Sequence, residues 1–172
     1  MASEHNYIVI MAGGIGTRFW PFSRNNNPKQ FHDILGTGKS LLQQTIARFN
    51  DICPTENILI VGSQEHETLL KEQLPHFHDN QFILEPARRN TAPCIAYTAY
   101  KIFSKDPKAN LVVAPSDHLI LNEKEFQKII LKALKETAKK DILVTLGIKP
   151  NRPDTGYGYI QYSDEKHSIW SK

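Results

Sequence analysis

Short apolar runs alternate with longer amphipathic segments along this chain. Five runs have the length and composition of buried strands: residues 7–11, 58–61, 82–84, 111–114 and 142–146. Four segments carry apolar residues at helical spacing: 40–49, 65–74, 91–103 and 123–139. Because strands that are apolar on both sides need helices over both faces, the pattern predicts an α/β fold with a mixed, mostly parallel sheet.

The ends of these elements add two expectations. Ser40, Ser63 and Asn122 stand immediately before helical segments, where their side chains are typical N-caps. Near the end of the chain, residues 158–162 alternate like a half-exposed strand and residues 168–170 resemble the start of a returning strand. We therefore expect residues 1–172 to form one domain that is incomplete at its C-terminal end.

Composition and charge exclude several classes of protein. The formal net charge is +3, and the basic residues form no stripe with interleaved aromatics, so no nucleic-acid partner is expected. No apolar run approaches the roughly 20 residues that a membrane span needs, and the N-terminus does not have the pattern of a signal peptide. Two cysteines are too few for a disulfide framework, so we expect Cys53 and Cys94 to be free buried thiols in a cytoplasmic protein.

The most informative motif follows the first predicted strand. Residues 12–18 read Ala-Gly-Gly-Ile-Gly-Thr-Arg, and Lys29 lies eleven positions beyond Arg18. Glycines allow a polyanion to approach backbone N–H groups, and two separated cations neutralise its charge. This arrangement favours a triphosphate site, the alternative being a tight turn with two solvated cations. The loop over residues 19–28 is long enough to cover a ligand, with Arg24 either joining the phosphates or solvated.

Polar residues follow the third and fourth predicted strands, where ligands bind in such sheets. The carboxylate of Glu85 suits the paired N–H donors of guanine, unless it pairs with Arg88 or Arg89. Asn90 and Thr91 either cap the next helix or read a base edge. Asp117, at the end of a buried strand, suits a Mg²⁺ ligand, and the alternative is an N-cap or turn residue. For His118 a structural hydrogen bond is favoured.

Two further glycine-containing segments give weaker signals. Residues 35–40 resemble the end of a P-loop with Lys39, but Asp33 stands where the first glycine is required, so a turn capped by Ser40 is favoured. In residues 155–160, Gly158 permits close backbone approach and Tyr157 offers a ring face, which suits a sugar. A bend relieved by glycine is the alternative.

Taken together, these motifs resemble the sugar-nucleotide pyrophosphorylases, and in particular the mannose-1-phosphate guanylyltransferases. The general signature is carried by residues 13–18 with Pro28 and Lys29. The guanylyl branch is carried by residues 20–24, 28–31, 85–86, 89–93, 115–118 and 155–159. Family members are considerably longer, and their second half supplies a further acidic metal ligand and much of the mannose pocket.

The resemblance implies a Rossmann-like nucleotide-diphospho-sugar transferase fold. It implies that GTP and α-D-mannose 1-phosphate react to give GDP-mannose and diphosphate, with Mg²⁺ as cofactor. Arg18 and Lys29 would be catalytic and Asp117 would hold the metal. The nucleotide would contact Ala12, Gly13, Gly14, Gly16, Thr17, Glu85, Asn90, Thr91 and Ser116, and the sugar would contact Tyr157 and Gly158.

Three other interpretations stay open at this point. In the first, the chain alone is a catalytically incomplete nucleotide-binding module. In the second, it is a guanylyltransferase for another sugar 1-phosphate, such as that of fucose or glucose. In the third, it is a P-loop NTPase that depends on Lys39. A homo-oligomer is also compatible with the sequence.

Overall fold

The computed structural model describes residues 4–14 and 19–161. Within these residues, four strands and four α-helices alternate. In order they are β1 (Asn6–Met11), α1 (Leu41–Ala47), β2 (Ile58–Ser63), α2 (Glu67–Gln73), β3 (Phe82–Glu85), α3 (Thr91–Phe103), β4 (Asn110–Pro115) and α4 (Glu123–Thr137). Short 3-10 turns lie at Lys29–Phe31, Thr55–Asn57, Gln64–His66 and Asp79–Gln81. The described residues divide into two compact units after Asp141.

The sheet of the first unit has the strand order β3-β2-β1-β4, and its neighbouring strands are all parallel. In register, Met11 lies opposite both Val61 and Pro115, and Ser63 lies opposite Glu85. The carboxyl ends of the four strands therefore meet at one edge. The predicted α/β fold with a mostly parallel sheet is confirmed.

Helices cover both faces of this sheet. On one face, Ile8 and Ile10 of β1 belong to a buried cluster shared by α1, α2 and α4; the helical members are Leu42, Ile46, Leu70, Ile130 and Leu134. On the other face, Val9 and Val61 pack with Cys94 and Ile102 of α3. The alternation of side chains along each strand sends successive residues to opposite faces, so both need a cover.

Two of the three expected helix caps are present. Ser40 accepts a hydrogen bond from the Gln43 N–H, and the Gln43 side chain accepts one from the Ser40 N–H, forming a capping box before α1. Asn122 accepts from the Glu125 N–H at the start of α4. The prediction that Ser63 caps a helix is wrong, because a 3-10 turn follows Ser63 and the Ser63 side chain makes no capping bond.

The prediction of a fifth strand is also wrong. Residues 142–146 have no regular structure, and the Leu143 side chain is fully exposed. A strand needs a hydrogen-bonded neighbour, which a local apolar pattern does not provide. Residues 158–161 of the expected hairpin are likewise irregular. Tyr162 and residues 168–170 lie outside the described residues.

Cys53 and Cys94 are free and buried, as the sequence predicts. Burial raises the pKa of the Cys53 thiol to about 12, with the Glu56 charge adding to the effect. Burial also raises the pKa of Cys94 to about 11, and the Glu85 carboxylate reinforces the shift. Both thiols therefore keep their protons in the folded protein at a pH where the unfolded chain has already lost them.

We expect the free energy of unfolding to fall as the pH rises from about 9 towards 12, because ionisation then favours the unfolded chain. Urea denaturation at about pH 8 and about pH 10.5 measures this loss. A Cys53→Ala, Cys94→Ala double variant is the control, and its stability should fall less over the same interval. An equal fall in the variant and the parent chain would show that the thiols contribute nothing.

Within the part of the chain that the structure describes, no helix is long and apolar enough to cross a bilayer.

Candidate functional site

The candidate site lies at the carboxyl edge of the sheet, where backbone hydrogen bonds continue past the strand ends. The Ala12 N–H donates to the Val61 carbonyl at 2.7 Å, and the Ser116 N–H donates to the Met11 carbonyl at 3.1 Å. The start of the glycine turn, described for residues 12–14, is thereby held beside the loop after β4. Ligands of parallel α/β sheets bind at this edge.

The described part of the glycine turn borders Glu85. A β-carbon added to Gly13 would lie 3.8 Å from Oε2 of Glu85, whereas one added to Gly14 would meet no atom within 4 Å. The carboxylate at the end of β3 thus faces the turn, and the space beside Gly14 is open. Gly16, Thr17 and Arg18 lie outside the described residues, so their predicted roles stay predictions.

Lys29 and Asp117 come together across this edge although 88 positions separate them in the sequence. The Lys29 ammonium lies 3.5 Å from Oδ2 of Asp117 and 5.0 Å from the centre of the Phe19 ring. The two side chains are 24 % and 42 % exposed, so both remain accessible to a ligand. A cation and a carboxylate therefore lie side by side at the edge of the sheet that carries the glycine turn.

Gln30, beside Lys29, was not predicted as a site residue. Its buried side-chain amide donates to the Ala12 carbonyl at 2.7 Å and to the Gly14 carbonyl at 3.0 Å. Its signals in the sequence are its place in the motif of residues 28–31 and its polarity next to Phe31, which itself belongs to the core. The polarity of a single residue does not reveal which backbone groups it will meet.

Helix α1 and the residue after it hold the loop that carries Asp117. The Thr45 hydroxyl donates to the Ser116 carbonyl at 3.2 Å, and the buried Arg48 guanidinium donates to the His118 carbonyl at 3.3 Å. Arg48 also lies 3.4 Å from the Glu123 carboxylate. Thr45 and Arg48 are polar residues within an otherwise apolar stripe, which is the signal that sequence reasoning missed.

The alternative proposed for Glu85 is not realised with Arg88, because Arg88 pairs with Glu65 at 2.9 Å. Among the described residues, Glu85 makes no ion pair; its carboxylate lies against the Cys94 thiol instead. Asn90 occupies the N-cap of α3 with φ of 65° and ψ of −170°, a backbone conformation that residues other than glycine rarely adopt, and its side chain makes no capping bond. Asn90 and Thr91 are both exposed.

The other predicted residues are placed as follows. Ala12 and Ser116 are buried, and their backbone groups are bonded within the protein. Arg24 is exposed and pairs through its backbone with Asn27. In the second unit, Tyr157 and Gly158 are exposed, while the Tyr159 hydroxyl accepts from the Asp154 N–H at 2.7 Å.

The segment that resembles a P-loop is a turn. The Asp33 carboxylate accepts from the N–H groups of Thr37 and Gly38 at 3.0 and 2.6 Å, and these bonds, that of Thr37 first, lower the pKa of Asp33. The amides that would bind phosphate are therefore already occupied by a carboxylate. This confirms the turn capped by Ser40.

A magnesium ion takes only some of its coordinating oxygens from protein side chains. No group of three or more His, Cys, Asp or Glu side chains that suits a metal occurs in residues 4–14 and 19–161. Mg²⁺ is usually held by one or two carboxylates and completes its coordination with water and phosphate oxygens. The accessible carboxylate of Asp117 fits that role, and an all-protein metal cage does not.

Comparison with known proteins identifies the family of this chain. The family model described as nucleotidyl transferase matches residues 7–170. Mannose-1-phosphate guanylyltransferase from Escherichia coli is 42 % identical over 157 residues, covering 89 % of this chain and 33 % of the relative. The enzyme of the same name from Salmonella montevideo is 44 % identical over 155 residues, covering 89 % and 32 %. The chain thus spans about a third of the length of these curated relatives.

Solved structures give the same result for the fold. The crystal structure of mannose-1-phosphate geranyltransferase from Thermus thermophilus superposes with a TM-score of 0.76 and 30 % identity, covering 89 % of this chain and 44 % of the other. That of mannose-6-phosphate isomerase from Helicobacter pylori gives 0.58 and 28 %, covering 76 % and 46 %. Since the family model spans nearly the whole chain, the chain belongs to the nucleotidyl transferase family.

Proposed function

We propose that this chain carries the GTP site of a mannose-1-phosphate guanylyltransferase. The observation that carries the proposal is the meeting of the glycine turn, Lys29 and Asp117 at one edge of a parallel sheet. Residues 1–172 then belong to the nucleotidyltransferase domain. The names of relatives that are more than 40 % identical support mannose 1-phosphate as the second substrate and GDP-mannose and diphosphate as products.

In the proposed reaction, a phosphate oxygen of mannose 1-phosphate attacks the α-phosphorus of GTP in line with the departing diphosphate. One P–O bond forms, the bond between the α-phosphorus and the bridging oxygen breaks, and diphosphate carries away the electron pair. The sugar phosphate is already ionised at neutral pH, so no strong general base is required. Catalysis then depends on positioning and on charge neutralisation.

Different residues of the chain are proposed to bind the phosphates, the guanine base and the sugar. The N–H groups of Gly13 and Gly14, with Gly16 and Thr17, bind phosphate oxygens, and the ammonium of Lys29 neutralises charge at the α-phosphate and the diphosphate. Arg18 is proposed for the same role from the sequence alone. Glu85 faces the turn as an acceptor for the guanine N–H donors. Tyr157 and Gly158 are proposed sugar contacts.

Asp117 is the proposed ligand for magnesium. When bound, Mg²⁺ supplies positive charge to the phosphate oxygens in the transition state. The Asp117 carboxylate, 3.5 Å from the Lys29 ammonium, also keeps that cation at the edge of the sheet.

Replacing Asp117 by asparagine is expected to raise the Mg²⁺ concentration needed for half-maximal GTP binding by about tenfold or more, because a neutral amide is a weaker ligand than a carboxylate. A titration of GTP binding with Mg²⁺ measures the change. Asp154→Asn, in the second unit, is the control and should leave the titration as in the parent chain. An unaltered titration in Asp117→Asn would remove this residue from the metal site.

Equilibrium titration of the chain with GTP and with ATP, both with Mg²⁺, tests whether the chain binds GTP and prefers guanine. We expect saturable binding of GTP and binding of ATP that is at least about tenfold weaker, because the Glu85 acceptor suits guanine. Equal binding of both nucleotides would contradict the assignment of guanine to Glu85. A lack of GTP binding would contradict the site itself.

A nucleotide-binding module without transferase activity is the second candidate. The coverage of only a third of the relatives' length favours it for the chain taken alone. Binding of GTP without release of diphosphate would distinguish it. A P-loop NTPase is not favoured, because Asp33 occupies the amides of Thr37 and Gly38.

A further inference from the structure

Gln30 has an unusual position for a polar side chain. It is 3 % exposed and lies in the 3-10 turn Lys29–Phe31, whose last residue is part of the core. Its amide nitrogen donates to the Ala12 carbonyl at 2.7 Å and to the Gly14 carbonyl at 3.0 Å. Since an amide NH₂ group has two hydrogens, this pair of bonds uses its full capacity as a donor.

These two bonds restrain the segment beyond the Ala12 N–H, which is itself bonded to the Val61 carbonyl. Gly13 and Gly14 lack β-carbons, so their peptide planes turn at little steric cost. In a planar trans peptide the C=O and the following N–H point in opposite directions. Holding the Ala12 carbonyl towards Gln30 therefore directs the Gly13 N–H to the opposite side. A carbonyl turned towards a phosphate would repel it.

We propose that Gln30 is a positioning residue that holds the glycine turn in its phosphate-binding conformation. The proposal rests on the proposed function, in which the N–H groups of that turn bind the phosphates of GTP. The neighbouring residue in the same short turn is Lys29, so one structural unit sets both the direction of the amides and the location of the cation. Gln30 acts through the backbone of the turn and takes no part in the bonds that form and break.

The chain contains a matched control for this role. Gln81 is 2 % exposed, and its amide nitrogen donates to the carbonyls of Thr55 and Ile58 at 2.7 and 3.0 Å. Ile58 begins β2, so these bonds lie at the amino end of the sheet, away from the glycine turn. Replacing either glutamine by methionine removes two similar donated bonds at similar burial, and in Gln81 also the bond that its side-chain oxygen accepts from the His78 N–H at 3.0 Å.

The first experiment compares Gln30→Met and Gln81→Met in binding GTP and guanosine. In Gln30→Met we expect the Kd for GTP to rise about tenfold or more and the Kd for guanosine to change less than about twofold, because only the phosphates use the turn. In Gln81→Met both constants should stay within about twofold of the parent chain. An equal loss for both ligands in Gln30→Met, or no loss, would overturn the proposal.

A second experiment requires no nucleotide and so separates this proposal from the proposed function. Amide hydrogen exchange of Ala12, whose buried N–H is bonded to the Val61 carbonyl at 2.7 Å, should accelerate about tenfold or more in the ligand-free Gln30→Met chain and not in Gln81→Met. Unchanged exchange would show that Gln30 does not restrain the turn, even if GTP binds. Parent chain that fails to bind GTP, with accelerated exchange in the variant, would contradict the proposed function alone. If Gln30→Met does not fold, Gln30→Glu, which keeps the shape of the side chain, takes its place in the exchange experiment alone, because its added charge would itself weaken GTP binding.

Discussion

Replacing Lys29 by alanine is expected to lower the rate of diphosphate release about 10²- to 10³-fold, which corresponds to about 3–4 kcal/mol of transition-state stabilisation. The reaction joins two anions, and the Lys29 ammonium is the described cation that lies beside Asp117 at the carboxyl edge of the sheet. Stability should change by less than about 1 kcal/mol, since both members of this pair are partly exposed. Steady-state rates and urea denaturation of the same preparation measure the two quantities.

Lys39→Ala is the matched control for this variant. Lys39 is an exposed lysine in the turn that resembles a P-loop, and the amides of that turn are bonded to Asp33. We expect Lys39→Ala to retain the parent rate. A loss of activity in Lys39→Ala together with a normal rate in Lys29→Ala would move the phosphate site to the other loop and contradict the proposed mechanism.

Replacing Phe49 by alanine is expected to lower the free energy of unfolding by about 3–5 kcal/mol. The Phe49 ring has no exposed surface, and it meets the Phe126 ring of α4 edge-on at a centroid distance of 5.6 Å. Its removal leaves a cavity at the junction between α1 and α4. The total stability of a domain is only about 5–15 kcal/mol, so this is a large fraction.

Phe103→Ala is the control for Phe49→Ala, because the Phe103 side chain is 58 % exposed at the end of α3. Its effect should stay within about 0.5 kcal/mol. Urea denaturation, read as a shift of the midpoint at constant m-value, measures both variants. Similar losses in the two would mean that the face bearing Phe49 is not the core that the structure describes.

The elements that the sequence predicts well are those whose information is local. The strand at 7–11 and the helices at 91–103 and 123–139 have strong periodicity, and the structure places them within two residues of the prediction. The strand at 142–146 has an equally apolar pattern, but strand formation depends on a neighbour that the pattern does not specify. Local composition therefore identifies a candidate strand without establishing that it pairs.

In the candidate site, too, the sequence indicates some residues directly and leaves others undetected. Gly13 and Asp117 are visible in the sequence because glycine and aspartate after a strand end have a direct chemical meaning, and Lys29 because it is a second cation beyond the glycine motif. Gln30 and Thr45 are not, because each acts through a backbone carbonyl of a distant segment. Such contacts arise only when the sheet brings the strand ends together, and a polar residue in an amphipathic stretch does not indicate its partner.

Diphosphate release from GTP, with Mg²⁺ and with or without mannose 1-phosphate, tests the central claim most directly. The account predicts release that requires the sugar phosphate and is lost in Lys29→Ala. Release of inorganic phosphate without the sugar phosphate would contradict a transferase. Saturable GTP binding with no diphosphate release would contradict transfer by this chain and favour the nucleotide-binding module.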